Sequence, residues 1–171
     1  MNTKKIAITA VSAALIFVIT WMIRIPIPLP IAGAYVNVGD SVIYGTALII
    51  GGLPAALAAA VGSILADMMA GVWVYALPTF IIKGLMGLVC AKICVEPKFS
   101  RFALACLVGG AIMVSGYAIF EFFAFGKAYM LTSIGFNCLQ WAGSLMIALA
   151  LYKAFMRVRK IYRGEGKKEE A

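Results

Sequence analysis

Asp40-Ser-Val-Ile-Tyr-Gly-Thr-Ala-Leu-Ile-Ile-Gly51-Gly52-Leu-Pro54 is the stretch on which the fold turns. From Ser41 to Ala66 there is no charge, which is long enough to be drawn as one bilayer-crossing helix. Against that, a Gly-Gly-x-Pro cluster reads as a turn, because glycine opens positive φ and proline withdraws a backbone donor. The stretch therefore divides into a short second span, about Asp40 to Ile50, and a third, Pro54 to Met69.

Working outward, Ile6 to Ile23 is a first apolar segment without a charge. It has a basic start and no clear small-residue cleavage site, so it reads as a retained helix rather than a removed signal peptide. Pro26, Pro28 and Pro30 then break the helix and make a semi-rigid loop. Further spans are expected at about Tyr75 to Ile93, Phe102 to Phe123 and Ala128 to Tyr152. Basic residues gather at Lys4 and Lys5, from Lys92 to Arg101, and from Lys153 to Lys168. Lysine and arginine mark cytoplasmic flanks, so two basic termini on one side demand an even number of crossings. Six spans satisfy this and also put the Lys98 loop inside.

The 171 residues are 64% hydrophobic and only 13% charged, with a mean hydropathy of +1.00. That exceeds the apolar share of soluble domains, which is nearer half. The expected class is thus an all-α integral membrane protein with six transmembrane helices and both termini cytoplasmic. One membrane domain covers residues 1–160, and a frayed tail covers 161–171. The net charge of +8 lies at the flanks of apolar segments and does not call for a nucleic-acid partner. The four cysteines, with no histidine and no CxxC pair, give no metal site, and no cofactor is expected on this chain.

The charges inside apolar sequence carry the functional reading, since an ionised group in hydrocarbon seeks a partner, a cavity or a ligand. Asp40, at the start of the second span, either caps that helix or contacts ligand. Asn37 is the better direct donor and acceptor for a heteroaromatic ring. Asp67 and Lys83 form an ion pair between adjacent helices or frame a pocket wall. Trp73 and Tyr75 stack on a flat ligand or belong to an interfacial belt. Tyr117 and Glu121 share a helix face four residues apart. Asn137, Trp141 and Ser144, with Gln140 nearby, make a polar stripe that serves helix contacts or ligand equally well. Six of these, Asn37, Asp40, Asp67, Tyr75, Glu121 and Asn137, fall in the outer half of the six-span map. Such a cluster suits a small planar ligand closed over by the proline loop.

At Gly33-Ala-Tyr-Val-Asn37-Val-Gly39-Asp40, Ala66-Asp67 and Pro78-Thr-Phe-Ile-Ile-Lys83-Gly84-Leu-Met-Gly87 the chain resembles the substrate-binding S components of energy-coupling-factor (ECF) transporters. It most resembles the riboflavin-type branch, which includes carriers of hydroxymethylpyrimidine and pyridoxine-like precursors, and the similarity spans about residues 4–155. It departs from that pattern at Ala34 and at Val72-Trp73, where pocket shape and cargo would differ. The resemblance implies a non-enzymatic six-helix subunit of a prokaryotic plasma membrane that binds a vitamin near its outer face. It implies partners too, a transmembrane coupling subunit and two cytosolic ATPases, with toppling of the S component as ATP is used. The chain has no G-x-x-x-x-G-K-[ST] phosphate loop, so ATP would be used by those partner subunits. On the first helix, Ala10 and Ala14 form the small-xxx-small pair that in this family docks on the coupling subunit; packing within the chain is the other reading. Riboflavin is an alternative cargo. An enzyme acting on a lipid and a stand-alone carrier or channel are the competing classes.

Overall fold

A computed structural model describes residues 3–26 and 35–164. The expected loop residues 27–34, including Pro28, Pro30, Gly33 and Ala34, and the tail residues 165–171 lie outside the described residues. Seven α-helices are present among those described: α1 (Thr3–Met22), α2 (Gly39–Ile49), α3 (Gly52–Met69), α4 (Ala76–Ile93), α5 (Phe99–Phe125), α6 (Lys127–Ala150) and α7 (Tyr152–Arg163). A 3-10 turn, Trp73–Tyr75, precedes α4. Two short strands, β1 (Arg24–Pro26) and β2 (Tyr35–Asn37), pair antiparallel with Arg24 opposite Asn37 and Pro26 opposite Tyr35. The proline segment was expected as loop throughout; its two ends instead join each other, which satisfies backbone groups that a loop would leave to solvent.

The Gly51-Gly52 turn divides the uncharged stretch as expected. Both glycines take positive φ, +68° and +57°, and α3 begins at Gly52 with Pro54 in its first turn, where a missing N–H costs nothing.

Five helices, α1, α3, α4 with its preceding turn, α5 and α6, are long and apolar enough to cross a membrane. They form an open arc in which α3 packs between α1 and α4, and α5 between α4 and α6. The short α2 sits inside that arc, touching α1, α3, α4, α5, α6 and α7. The sixth expected span is this helix, which at eleven residues is too short to be counted with those five by length. At 1.5 Å per residue it is about 16 Å long, roughly half the hydrocarbon thickness. Nearly every residue from Gly39 to Leu48 is buried, so it is walled by protein rather than lipid. Around it lies the core of Ile16, Ile43, Tyr44, Leu48, Met86, Phe102 and Met113.

Large apolar side chains point outward from the long helices, among them Val11 and Leu15 on α1, Leu104, Leu107 and Phe123 on α5, and Met146 on α6. Exposed apolar side chains outside with carboxylates, amides and hydroxyls within is the arrangement a lipid solvent selects. After Leu151 the chain turns into α7, which is basic and lies against α2. This helix runs to Arg163, three residues into the expected tail, and ends on Gly164 in the left-handed conformation. Lys4 lies over the Tyr162 ring and donates to the Tyr162 carbonyl at 3.5 Å, so the start of α1 and the end of α7 share one end of the bundle.

Candidate binding cavity

At the opposite end, the arc and the β1–β2 pair surround a cavity of about 70 Å³. All but Val72 of its lining residues carry a polar group, and α3, α4, α5 and α6 each contribute positions four apart. These are Ser63 and Asp67 on α3, Thr79 and Lys83 on α4, Tyr117 and Glu121 on α5, and Tyr129, Ser133 and Asn137 on α6. Residues four apart on a helix share a face, and in each case it is the inward one.

Asp40 anchors the floor. Its Oδ1 accepts from Lys83 Nζ at 2.5 Å and its Oδ2 from Gln140 Nε2 at 3.0 Å. Gln140 Oε1 in turn accepts from the Asn37 backbone N–H at 3.1 Å and its Nδ2 at 3.2 Å. One amide thus ties β2, α2 and α6 together, and the ion pair adds α4. Two sequence readings are corrected here. Lys83 pairs with Asp40, not Asp67, because α2 fills the interior and brings Asp40 to the ammonium; Asp67 feels Lys83 only through space. Asp40 does not cap α2 either, since both of its oxygens are engaged by side chains; the Gly39 N–H at that terminus is taken by Asn37 Oδ1 at 2.8 Å.

Asp67 accepts from Tyr35 Oη at 2.7 Å through its Oδ1. Burial, with the Asp67 charge beside it, holds the Tyr35 phenol far above its ordinary pKa, so it stays a donor. The Thr79 hydroxyl lies near Asp67 and shares a 2.8 Å bond with Tyr117. Across the cavity, Glu121 Oε1 accepts from Ser133 Oγ at 2.7 Å and Tyr75 Oη at 3.1 Å. Tyr75 also meets Tyr129 Oη at 3.0 Å, and Asn137 Nδ2 donates to Ser133 at 3.2 Å.

Eight of the ten expected ligand-contact residues therefore line one cavity: Asn37, Asp40, Asp67, Tyr75, Lys83, Tyr117, Glu121 and Asn137. Two do not. Trp73 is 62% exposed on the outer side of its turn, while Tyr75, two residues on, faces inward. Trp141 packs flat against Gly110 of α5, where no Cβ obstructs the indole, and donates Nε1 to the Cys106 carbonyl at 3.1 Å. Its place in the polar stripe came from spacing alone; a close α5–α6 approach uses the ring for packing. Not among the expected ligand contacts were Tyr35, Thr79, Tyr129, Ser133 and above all Gln140, which had been noted only beside the polar stripe. The four-residue recurrence of polar side chains in α3, α4, α5 and α6 was the signal that would have found most of them.

A family model described as "ECF-type riboflavin transporter, S component" matches residues 1–157. The chain belongs to this family. A protein of Pyrococcus woesei, named "Uncharacterized protein in gap 3'region", is 36% identical over 110 residues, 64% of this chain and 72% of that protein. As an ECF S component the chain is a substrate-binding transporter subunit, multi-pass and not an enzyme. In ECF systems the S component binds substrate and works with a coupling subunit, and ATP is used by partner ATPases.

Proposed function

We propose that this S component captures a small heteroaromatic vitamin or precursor, of the hydroxymethylpyrimidine or pyridoxine type, at the outer face of a prokaryotic plasma membrane. It hands the cargo inward with a transmembrane coupling subunit and two cytosolic ATPases. The observation that carries this reading is the cavity itself. Its walls combine flat phenol rings from Tyr35, Tyr75, Tyr117 and Tyr129 with acids, amides and hydroxyls, the surroundings a small ring with several hydrogen-bonding edges requires. In this reading the basic end, with Lys4, Lys5, Lys98 and α7, is cytoplasmic and the cavity opens outward.

The docking reading of Ala10 and Ala14 is supported by their exposure, while Ala13 and Ile16 of the same helix are buried against α3. Small exposed residues on a lipid-facing helix let a second helix approach closely. Titration of the purified protein with hydroxymethylpyrimidine, pyridoxine and riboflavin tests the cargo. Binding of riboflavin alone moves the cargo to the compound in the family's description, and absence of binding to all three removes the reading. Uptake by cells expressing this chain without coupling subunit and ATPases would show a stand-alone carrier instead.

A further inference from the structure

The three acids of the cavity are not equivalent. Asp40 has a donor on each oxygen, Lys83 on one and Gln140 on the other. Asp67 accepts from Tyr35 on Oδ1 with the Thr79 hydroxyl beside the carboxylate, and Glu121 collects both Ser133 and Tyr75 on Oε1. Asp67 Oδ2 and Glu121 Oε2 are buried with no hydrogen-bond partner among the described residues. Neither side chain is open to solvent, with residue exposures of 8% and 2%. A buried acceptor left unmade is expensive, and native proteins rarely keep two of them in one place without use for them. Of the hydroxyls nearby, Thr79 shares a bond with Tyr117 and Tyr129 one with Tyr75, and in each pair either oxygen can be the donor.

Charge points the same way. Asp40, Asp67 and Glu121 face the cavity against Lys83 as the sole lining cation among the described residues, a formal excess of two negative charges. Segment 27–34 contains no ionisable side chain, so it brings no counter-charge. Arg24, beside the lining residue Tyr35, is exposed and lies over the rings of Trp21 and Tyr35. Lys83, for its part, is held by Asp40 and lies 5.6 Å from the centre of the Tyr117 ring.

We infer that Asp67 Oδ2 and Glu121 Oε2 are the acceptor positions for the cargo, and that the cargo is an amino-bearing or cationic heterocycle which donates N–H groups to both. The same field excludes phosphate esters and carboxylates. This rests on the reading that the cavity holds an imported heterocycle and adds to it the charge class. Neutral donor-poor rings are poor cargo, because they would leave both oxygens unmatched.

The test is isothermal titration of the full chain in lipid nanodiscs. The probes are 4-amino-5-hydroxymethyl-2-methylpyrimidine, its 4-oxo analogue, its phosphate ester, riboflavin and the non-aromatic diamine putrescine. The aminopyrimidine should bind at least about tenfold tighter than the 4-oxo analogue, and the ester at least about 100-fold more weakly. Glu121→Gln and Asp67→Asn, which keep shape and remove charge, should each erase most of the amino preference. Equal affinity for amino and oxo rings, or tolerance of the ester, overturns the inference and leaves the heterocycle reading standing. Binding of putrescine alone keeps the acceptor assignment and overturns the heterocycle reading; binding of nothing overturns both. The panel on the unsubstituted chain decides these outcomes even if a variant fails to fold.

Discussion

The two ends of the bundle solve the problem of buried charge in different ways. At the cavity end, Asp40, Asp67, Lys83 and Glu121 are engaged by other side chains, and these groups with their partners come from β2, α2, α3, α4, α5 and α6. At the basic end, the deeply buried charge among the described residues is Arg159 of α7, 3% exposed, and its Nη1 and Nη2 donate to backbone. Its guanidinium reaches the carbonyls of Leu48, Cys94 and Val95, which close α2 and α4. A cation at helix C-termini meets carbonyls without intrahelical partners and the negative end of the dipole. Carbonyl capping fixes architecture. Side-chain networks with acceptors to spare make a place for a guest.

That contrast predicts a graded set of effects. The largest should follow from Lys83→Met, which leaves Asp40 as an unpaired buried carboxylate and should cost about 3–5 kcal/mol of stability. Pairing it with Asp40→Leu should recover much of the loss in a thermal-unfolding double-mutant cycle; no recovery would mean that the pair is not what holds α2 to α4. Next, Arg159→Ala should cost about 2–3 kcal/mol through lost charge-assisted bonds. Ligand affinity should stay within about twofold of the parent, and a large affinity change would break the separation of the two ends. Gln140→Leu should cost about 2 kcal/mol by freeing the Asn37 N–H and one Asp40 oxygen, and it should weaken cargo binding as well, since β2 then loses its tie to α6. Trp73→Ala should alter stability by no more than about 0.5 kcal/mol, whereas Tyr75→Phe should impair binding by removing a donor to Glu121.

The smallest effect belongs to the exposed loop at the basic end. Glu96, bonded to Lys98 and beside Arg101, has its carboxyl held below the usual glutamate range, the Lys98 hydrogen bond contributing most. A depressed folded-state value stabilises above the unfolded pKa and loses that stabilisation as pH falls through the folded one. Acidification should therefore lower the thermal midpoint slightly, and Glu96→Gln should abolish that component, which salt should also weaken.

Much of this was legible along the chain. The Gly51-Gly52 turn could be placed because positive φ and a proline in the first turn are local demands. The acids and lysine could be picked out because a charge in apolar sequence needs a reason. The shortness of α2 was legible from the turn that ends it, but its enclosure was not, because an apolar run reads the same whether lipid or protein surrounds it. Lys83 could have gone to either Asp40 or Asp67, and spacing carries no information about which helix fills the interior. Gln140 was visible only as one polar residue in a stripe. Its importance lies in meeting Asn37 and Asp40, both about a hundred positions away.

Composition and charge placement by themselves settled that this is a helical membrane protein with its ionisable groups gathered for a purpose, because the cost of burying charge is written into any apolar segment that carries one. Which carboxylate is neutralised, which ring turns inward and which acceptors remain open were decided only by packing. Hydrogen-bond partners are assigned by distance in space, and in this bundle those distances are set by a short helix enclosed among longer ones.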